Sequence, residues 1–130
     1  MKRNIIVSLL TAVILAFGAA ARTPGEKVGV HFDSLVYDFG TKSESTPEIV
    51  HTFTYTNTGS TPVTILSAKP SCGWTQPKYS REPLKPGKSA TIRVKFLPRG
   101  HAGENSKDIR VRFKNAAGQS EQVSLRMVGN

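Results

Sequence analysis

The feature that most constrains this chain is a two-residue alternation of apolar and polar side chains, which recurs from Val28 to Met127. In the stretch that follows Pro47, for example, one face of an extended strand would carry Ile49, His51, Phe53 and Tyr55, while β-branched residues line the other face. No stretch of this region keeps a helical period. The pattern excludes a helical bundle and predicts an all-β domain.

Residues suited to turns separate the alternating stretches. They occur at Asn57–Gly59, Pro86–Gly87, Pro98–Gly100 and Asn115–Gly118. About seven short strands with such turns are typical of an immunoglobulin-like antiparallel β-sandwich. The segment Ser67–Lys88 holds four prolines, and we expect a crossover or an edge strand there. The turn after Asn57 leaves two alternatives open, a hairpin or an arch between sheets.

Residues 1–21 have the pattern of a cleaved signal peptide. Lys2 and Arg3 precede an apolar stretch, Ile5–Phe17, which is too short to span a bilayer, and three alanines end at Ala21. The alternative is an N-terminal membrane anchor, which the short stretch disfavours. We therefore expect export to the periplasm or beyond, with one mature domain at residues 22–130. Removal of Lys2 and Arg3 lowers the formal net charge from +9 to +7, so the domain remains basic.

Several motifs resemble known families. The stretches Asp38–Gly40, Phe53–Gly59 and Pro62–Ile65 are similar to the Hydin-like and major-sperm-protein-like immunoglobulin folds. The stretches Ser71–Thr75, Pro83–Gly87, Phe96–Gly100 and Gly103–Lys107 resemble a secreted bacterial family catalogued as domain of unknown function 1573. The resemblance covers nearly all of the mature chain. It implies an exported β-sandwich with no assigned activity.

One departure from that family concerns metal chemistry. The family usually has Cys-Gly-Cys where this chain has Cys72-Gly73-Trp74, so a metal or redox role for a cysteine pair does not carry over. Cys72 and His51 are weak candidates as metal ligands, because both are predicted at the same end of the sandwich. A structural zinc site needs four ligands. We expect instead that Cys72 is a small buried thiol, that His51 caps its strand at the rim, and that no cofactor is bound.

A basic face is the second candidate site. If the strands around Val111 and Leu125 are neighbours, their outer face carries four cations, namely Arg110, Arg112, Lys114 and Arg126. Such a face suits an envelope protein or an anionic glycan or lipid surface. The alternative, which the sequence favours, is a solvated face whose charges prevent edge pairing. Nucleic acid is a poor candidate partner, because export is predicted and no binding motif is present.

Two aromatic residues form the third candidate site. We expect Trp74 and Tyr79 to lie in a proline-rich loop, Cys72–Tyr79, because exposed aromatic side chains on loops often anchor interfaces. The alternative is that Trp74 folds back as a lid over one end of the core. The sequence does not distinguish the two.

Catalytic signatures are missing from the sequence. No nucleophile elbow, zincin motif or glycine-rich phosphate loop is present, and the nine acidic residues are scattered. We expect a monomeric, non-catalytic binding or scaffold module of the bacterial envelope. The alternative is a periplasmic chaperone or carrier that pairs a strand edge with its partner, with a possible metal link through Cys72. A hydrolase of low specificity is the third choice.

Overall fold

The computed structural model describes residues 23–41, 48–97 and 105–130. The predicted signal peptide and the start of the mature domain at Arg22 lie outside the described residues, and so does the predicted turn Pro98–Gly100. The described residues form eight strands, which are β1 (Val30–Phe32), β2 (Val36–Gly40), β3 (Ile49–Asn57), β4 (Val63–Pro70), β5 (Thr75–Tyr79), β6 (Ser89–Phe96), β7 (Asn105–Asn115) and β8 (Ser120–Gly129). In these parts of the chain, no helix is long and apolar enough to cross a membrane.

The strands form two four-stranded sheets. The front sheet has the order β1-β3-β6-β5, and the back sheet has the order β2-β8-β7-β4. The predicted all-β sandwich is confirmed, with two differences in detail. The described residues contain eight strands rather than about seven, and β2 pairs with β8 in parallel. A parallel pair cannot be joined by a tight hairpin, and here β3 to β7 intervene between its two strands.

The core lies between the two sheets and follows the predicted alternation. Its largest fully buried side chains are aromatic residues from both sheets, Phe53 and Phe96 from the front and Phe113 from the back. Isoleucines, valines, Leu125 and Met127 fill the space around them. Burying each such side chain stabilises the fold by about 1.5–3 kcal/mol. The chain contains a single cysteine, so this packing is the main source of its stability.

The connection from β3 to β4 is an arch between the sheets, because β3 belongs to the front sheet and β4 to the back sheet. Asn57 holds the arch. Its buried side-chain amide donates hydrogen bonds to the carbonyls of Thr61 at 2.9 Å and Leu84 at 2.8 Å, and its side-chain oxygen accepts one from the Gly59 amide at 2.9 Å. The first alternative considered for this turn, a hairpin, is therefore excluded.

The proline-rich segment makes both a crossover and an edge strand. β4 ends at Pro70, the residues Ser71–Trp74 cross to the other sheet, and β5 then forms an edge of the front sheet. Pro77 lies inside β5. Because β5 is an edge strand, the N–H that proline lacks would point away from β6, so no hydrogen bond between the two strands is lost. The crossover places β4 and β5 beside each other at one edge of the sandwich.

Candidate functional site

The outer surface of β7 carries a row of cations. Arg110, Arg112 and Lys114 are exposed, and they alternate with residues that are completely buried in the core. Because a strand rises about 3.4 Å per residue, successive cations in this row stand about 7 Å apart. These three residues of the predicted basic face therefore lie on an outward-facing surface.

The register of β4 against β7 adds a fourth cation. Lys69 is the cross-strand partner of Arg110, and it is also exposed. We call Lys69, Arg110, Arg112 and Lys114 the back-sheet cation row. The sequence analysis missed Lys69, because only the register shows which residue of β4 stands beside Arg110.

No described acidic residue forms an ion pair with the back-sheet cation row. The remaining cross-strand partners of β7 here are uncharged: Ser67 and Thr64 on β4, and Ser124, Gln122 and Ser120 on β8. Among the residues that the structure describes, no carboxylate lies within 4 Å of any cation of the row. Like charges placed directly opposite each other destabilise a sheet, so the Lys69–Arg110 pair has a cost in the folded protein.

Arg126 differs from the other three predicted cations. It lies on the same outer face, but its Nε donates to Asp108 Oδ1 at 2.7 Å and its Nη2 to Asp108 Oδ2 at 3.5 Å. The hydrogen bond and the charge of Asp108 raise the pKa of Arg126. The predicted group of four is therefore divided. Arg126 is neutralised by Asp108 on β7, whereas no described carboxylate lies within ion-pair distance of the other three cations.

An exposed apolar side chain lies beside the row. The register of β4 shifts between Ile65 and Ser67, and the residue at the shift, Leu66, is 43% exposed. Its neighbour Ser67 is the cross-strand partner of Arg112. The surface of β4 and β7 therefore combines several cations with one exposed leucine.

The candidate metal ligands do not form a site in the described residues. The His51 ring stacks on Tyr37, with centroids 3.9 Å apart and planes 9° apart, and it meets the Phe53 ring edge-on at 4.7 Å. The prediction that His51 caps its strand is wrong, because β3 alternation directs this ring toward the opposite sheet. Burial among these rings lowers the pKa of His51.

Cys72 is also placed differently from the prediction. It is partly exposed in the crossover rather than buried in the core, and its Sγ accepts a hydrogen bond from the Trp74 amide at 3.4 Å. The crossover leaves the core at Pro70, which is why this small side chain remains near the surface. In the described ranges, no three His, Cys, Asp or Glu side chains are close enough together to hold a metal ion.

The two candidate aromatic residues lie in different settings. Trp74 is 52% exposed in the crossover, and its carbonyl accepts a hydrogen bond from the Leu97 amide at 3.0 Å. Tyr79 is instead on β5, partly buried against the core, with the Arg81 guanidinium 5.7 Å from its ring centroid. The prediction that both belong to one exposed loop is wrong, because β5 begins directly after Trp74.

The four sheet edges are each interrupted. β1 has only three residues, and β5 contains Pro77. The β2 register shifts between Asp38 and Gly40, and β4 carries the shift at Leu66. At the start of β4, Val63 also exchanges two backbone hydrogen bonds with Leu84, at 3.0 and 2.7 Å. Such interruptions prevent one sheet from pairing with another.

Comparison with known proteins agrees with this architecture. A family model described as "Protein of unknown function (DUF1573)" matches residues 30–130. No curated protein matches the chain.

Several solved structures share the fold at low sequence identity. One is the VesB protease of Vibrio cholerae, with 19% identity and a TM-score of 0.65, and the match covers 78% of this chain and 32% of the protease. Another is a PapD-like domain of human CEP192, with 16% identity and a TM-score of 0.62, and the match covers 84% of this chain and 89% of that domain. A third is WR4, an MSP family member of C. elegans, with 9% identity and a TM-score of 0.61, and the match covers 78% of this chain and 98% of WR4. The periplasmic chaperone SfaE and the E. coli chaperone DraB match as well. The chain thus spans about a third of the length of the protease. Together, these structural similarities confirm the immunoglobulin-like fold.

Proposed function

The chain belongs to DUF1573, a family of proteins of unknown function, and we propose that it is an exported, non-catalytic binding module that attaches to an anionic lipid surface. The observation that carries this proposal is the back-sheet cation row, which no described carboxylate neutralises. Export is supported by the signal-peptide pattern of residues 1–21. The absence of catalytic motifs from the sequence supports a binding role.

The shape of the surface favours a lipid surface over a small ligand. The cations stand at exposed positions on the outer face of a sheet. An open face can meet many headgroup phosphates at once. Leu66 adds an exposed apolar side chain, which suits the boundary between headgroups and acyl chains.

The expected affinity of the domain for an anionic membrane is that of reversible binding. Each Lys or Arg near an anionic membrane contributes about 1 kcal/mol. Four cations therefore contribute about 4 kcal/mol, which is a thousandfold increase in membrane partitioning at about 1.4 kcal/mol per tenfold. This is enough to concentrate the domain at a charged surface, and it is too little for permanent anchoring.

The strand-edge chaperone has weaker support. That mode of action requires an open strand to which a partner strand can add. In the described parts of the chain, the edges are short, interrupted by proline or shifted in register. Edge pairing therefore remains the second choice.

Vesicle sedimentation tests the proposal. The mature domain is mixed with vesicles of phosphatidylcholine alone or with an equimolar share of phosphatidylglycerol. We expect binding only to the anionic vesicles, and we expect it to weaken steeply with salt, because the screening length falls to about 3 Å at 1 M.

Two charge-reversal variants separate the surface from net charge. Arg110→Glu/Arg112→Glu/Lys114→Glu should weaken binding strongly, whereas Lys27→Glu/Lys85→Glu/Lys88→Glu, with the same change in net charge at exposed positions elsewhere, should retain most of it. Arg126 is left unchanged because Asp108 already pairs with it. Equal binding by both variants would reject the cation row as the site. Retention on heparin without vesicle binding would instead indicate an anionic glycan, and capture of an acidic envelope protein without either would indicate a protein partner.

A further inference from the structure

The outer face of the front sheet carries a second group of cations. Arg93 and Lys95 alternate with buried residues of β6, and Lys78 on the edge strand β5 is the cross-strand partner of Arg93. We call Lys78, Arg93 and Lys95 the front-sheet cation patch. With Gln76, the partner of Lys95, these side chains line a shallow cavity of about 40 Å³.

The patch keeps a positive charge in the folded protein. Lys95 Nζ lies 3.6 Å from Glu48 Oε2, but both side chains are more than two fifths exposed, at 41% and 47%. Exposed ion pairs of this kind are weak and exchange readily with other partners. Within the described residues, Lys78 and Arg93 have no carboxylate in ion-pair range. Lys78 and Arg93 are like charges that stand directly opposite each other, and their repulsion lowers the stability of the sheet.

The two basic surfaces face in opposite directions. Packed sheets lie about 10 Å apart, and the side chains that point out of one sheet point away from those of the other. Arg93 on β6 and Arg112 on β7 therefore project from opposite sides of the sandwich, because β6 is in the front sheet and β7 is in the back sheet. A single flat membrane cannot contact both residues at once.

We propose that the front-sheet cation patch binds a second anionic lipid surface, so that one domain bridges two membranes. The proposal rests on the proposed function, in which the back-sheet cation row holds the first surface. The patch has three cations, and one of them, Lys95, is in ion-pair range of Glu48. The row has four cations, and no described carboxylate is in ion-pair range of any of them. The back sheet therefore binds first and more strongly, and the front sheet joins the second surface when many domains coat the first one.

The experiment measures binding and bridging separately. Vesicles of equimolar phosphatidylcholine and phosphatidylglycerol are prepared in two batches, one carrying a fluorescent donor lipid and the other an acceptor lipid. Sedimentation reports binding, and energy transfer between the batches reports bridging. For the wild-type mature domain we expect both signals, and we expect salt to abolish both of them.

Two variants identify the face that is responsible. Lys78→Glu/Arg93→Glu should bind vesicles within about twofold of the wild type, because the back-sheet row is intact, yet it should lose the energy transfer. Lys85→Glu/Lys88→Glu, with the same change in net charge on the β5–β6 connection, should keep both signals. Circular dichroism of each variant confirms that it is folded.

The outcomes distinguish this inference from the proposed function. Vesicle binding by the wild type without energy transfer would overturn bridging and leave the proposed function in place. Energy transfer by Lys78→Glu/Arg93→Glu equal to that of the wild type would also overturn bridging through the front sheet, and would indicate self-association of the domain instead. Failure of the wild type to bind vesicles would overturn both proposals.

Discussion

Lys69 lies directly opposite Arg110 in the ladder between β4 and β7. Both side chains are exposed, and no carboxylate of the described residues lies within ion-pair distance of either. A pair of like charges in this position lowers the stability of the sheet. Charges on the edge strand β4 also oppose pairing with another sheet, so a binding assay is needed to separate that role from attachment to an anionic surface.

The first prediction separates stability from binding at this pair. Lys69→Glu replaces a repulsion with a cross-strand attraction, and we expect it to raise the free energy of unfolding by about 0.2–1 kcal/mol. The same change should weaken binding to anionic vesicles. Urea denaturation and vesicle sedimentation measure the two effects. Lys85→Glu, in an exposed connection, is the control. It should change the free energy of unfolding and the vesicle binding less than Lys69→Glu does. A loss of stability in Lys69→Glu would contradict the repulsion.

The second prediction concerns pH and His51. Burial against Tyr37 and Phe53 lowers the pKa of His51 below its unfolded value of 6.5, so the folded state favours the neutral ring. The resulting stabilisation is complete above pH 6.5, and it is lost as the pH falls from 6.5 through the lower folded pKa. We expect the free energy of unfolding to fall over that acidic range.

The variant His51→Phe keeps a stacking ring but cannot be protonated. It should remove the part of the pH dependence that comes from this site. His31→Gln changes an exposed histidine on β1 and serves as the control variant. Urea denaturation at a series of pH values gives the profiles. Identical slopes for the wild type and His51→Phe would show that His51 does not contribute.

The third prediction concerns Thr75, the first residue of β5. It is 3% exposed, and its Oγ1 has no hydrogen-bond partner among the described residues. A buried hydroxyl without a partner costs about 1–3 kcal/mol. Thr75→Val replaces that hydroxyl with a methyl group of similar size, so we expect stability to rise by about 1 kcal/mol.

Thermal or urea denaturation measures the effect of Thr75→Val. The matched control is Thr54→Val, on the outer face of β3, where the hydroxyl is only partly buried and the change should be smaller. A clear loss of stability in Thr75→Val would show that the hydroxyl does have a partner.

The fourth prediction concerns Cys72. Its thiol is partly exposed in the crossover, so we expect a thiol reagent to label the native protein without prior unfolding. Cys72→Ser keeps an acceptor for the Trp74 amide, and we expect it to change stability by less than about 0.5 kcal/mol, as surface substitutions usually do. Labelling that requires denaturant, together with a large loss of stability, would show that the side chain is packed after all.

The sequence by itself determined which side chains face the core and which face water. Alternation along β3, β6, β7 and β8 is a local property of an extended strand, and it correctly placed Phe113 inside and Arg112 outside. Glycines, prolines and asparagines likewise marked the turns, because their backbone preferences are also local. The immunoglobulin-like fold and an outward basic surface could both be predicted in this way.

Only the tertiary structure decided which strands are neighbours and in what register. That choice pairs Arg126 with Asp108, which lies 18 residues earlier in the chain, and sets Lys69 against Arg110, 41 residues later. It also makes β2 parallel to β8, stacks His51 on Tyr37 and divides two predicted loop aromatics between a crossover and a strand. Alternation cannot predict these contacts. A period of two shows which side chains lie on each face of a strand, but the neighbouring strand and its register depend on how the whole domain packs.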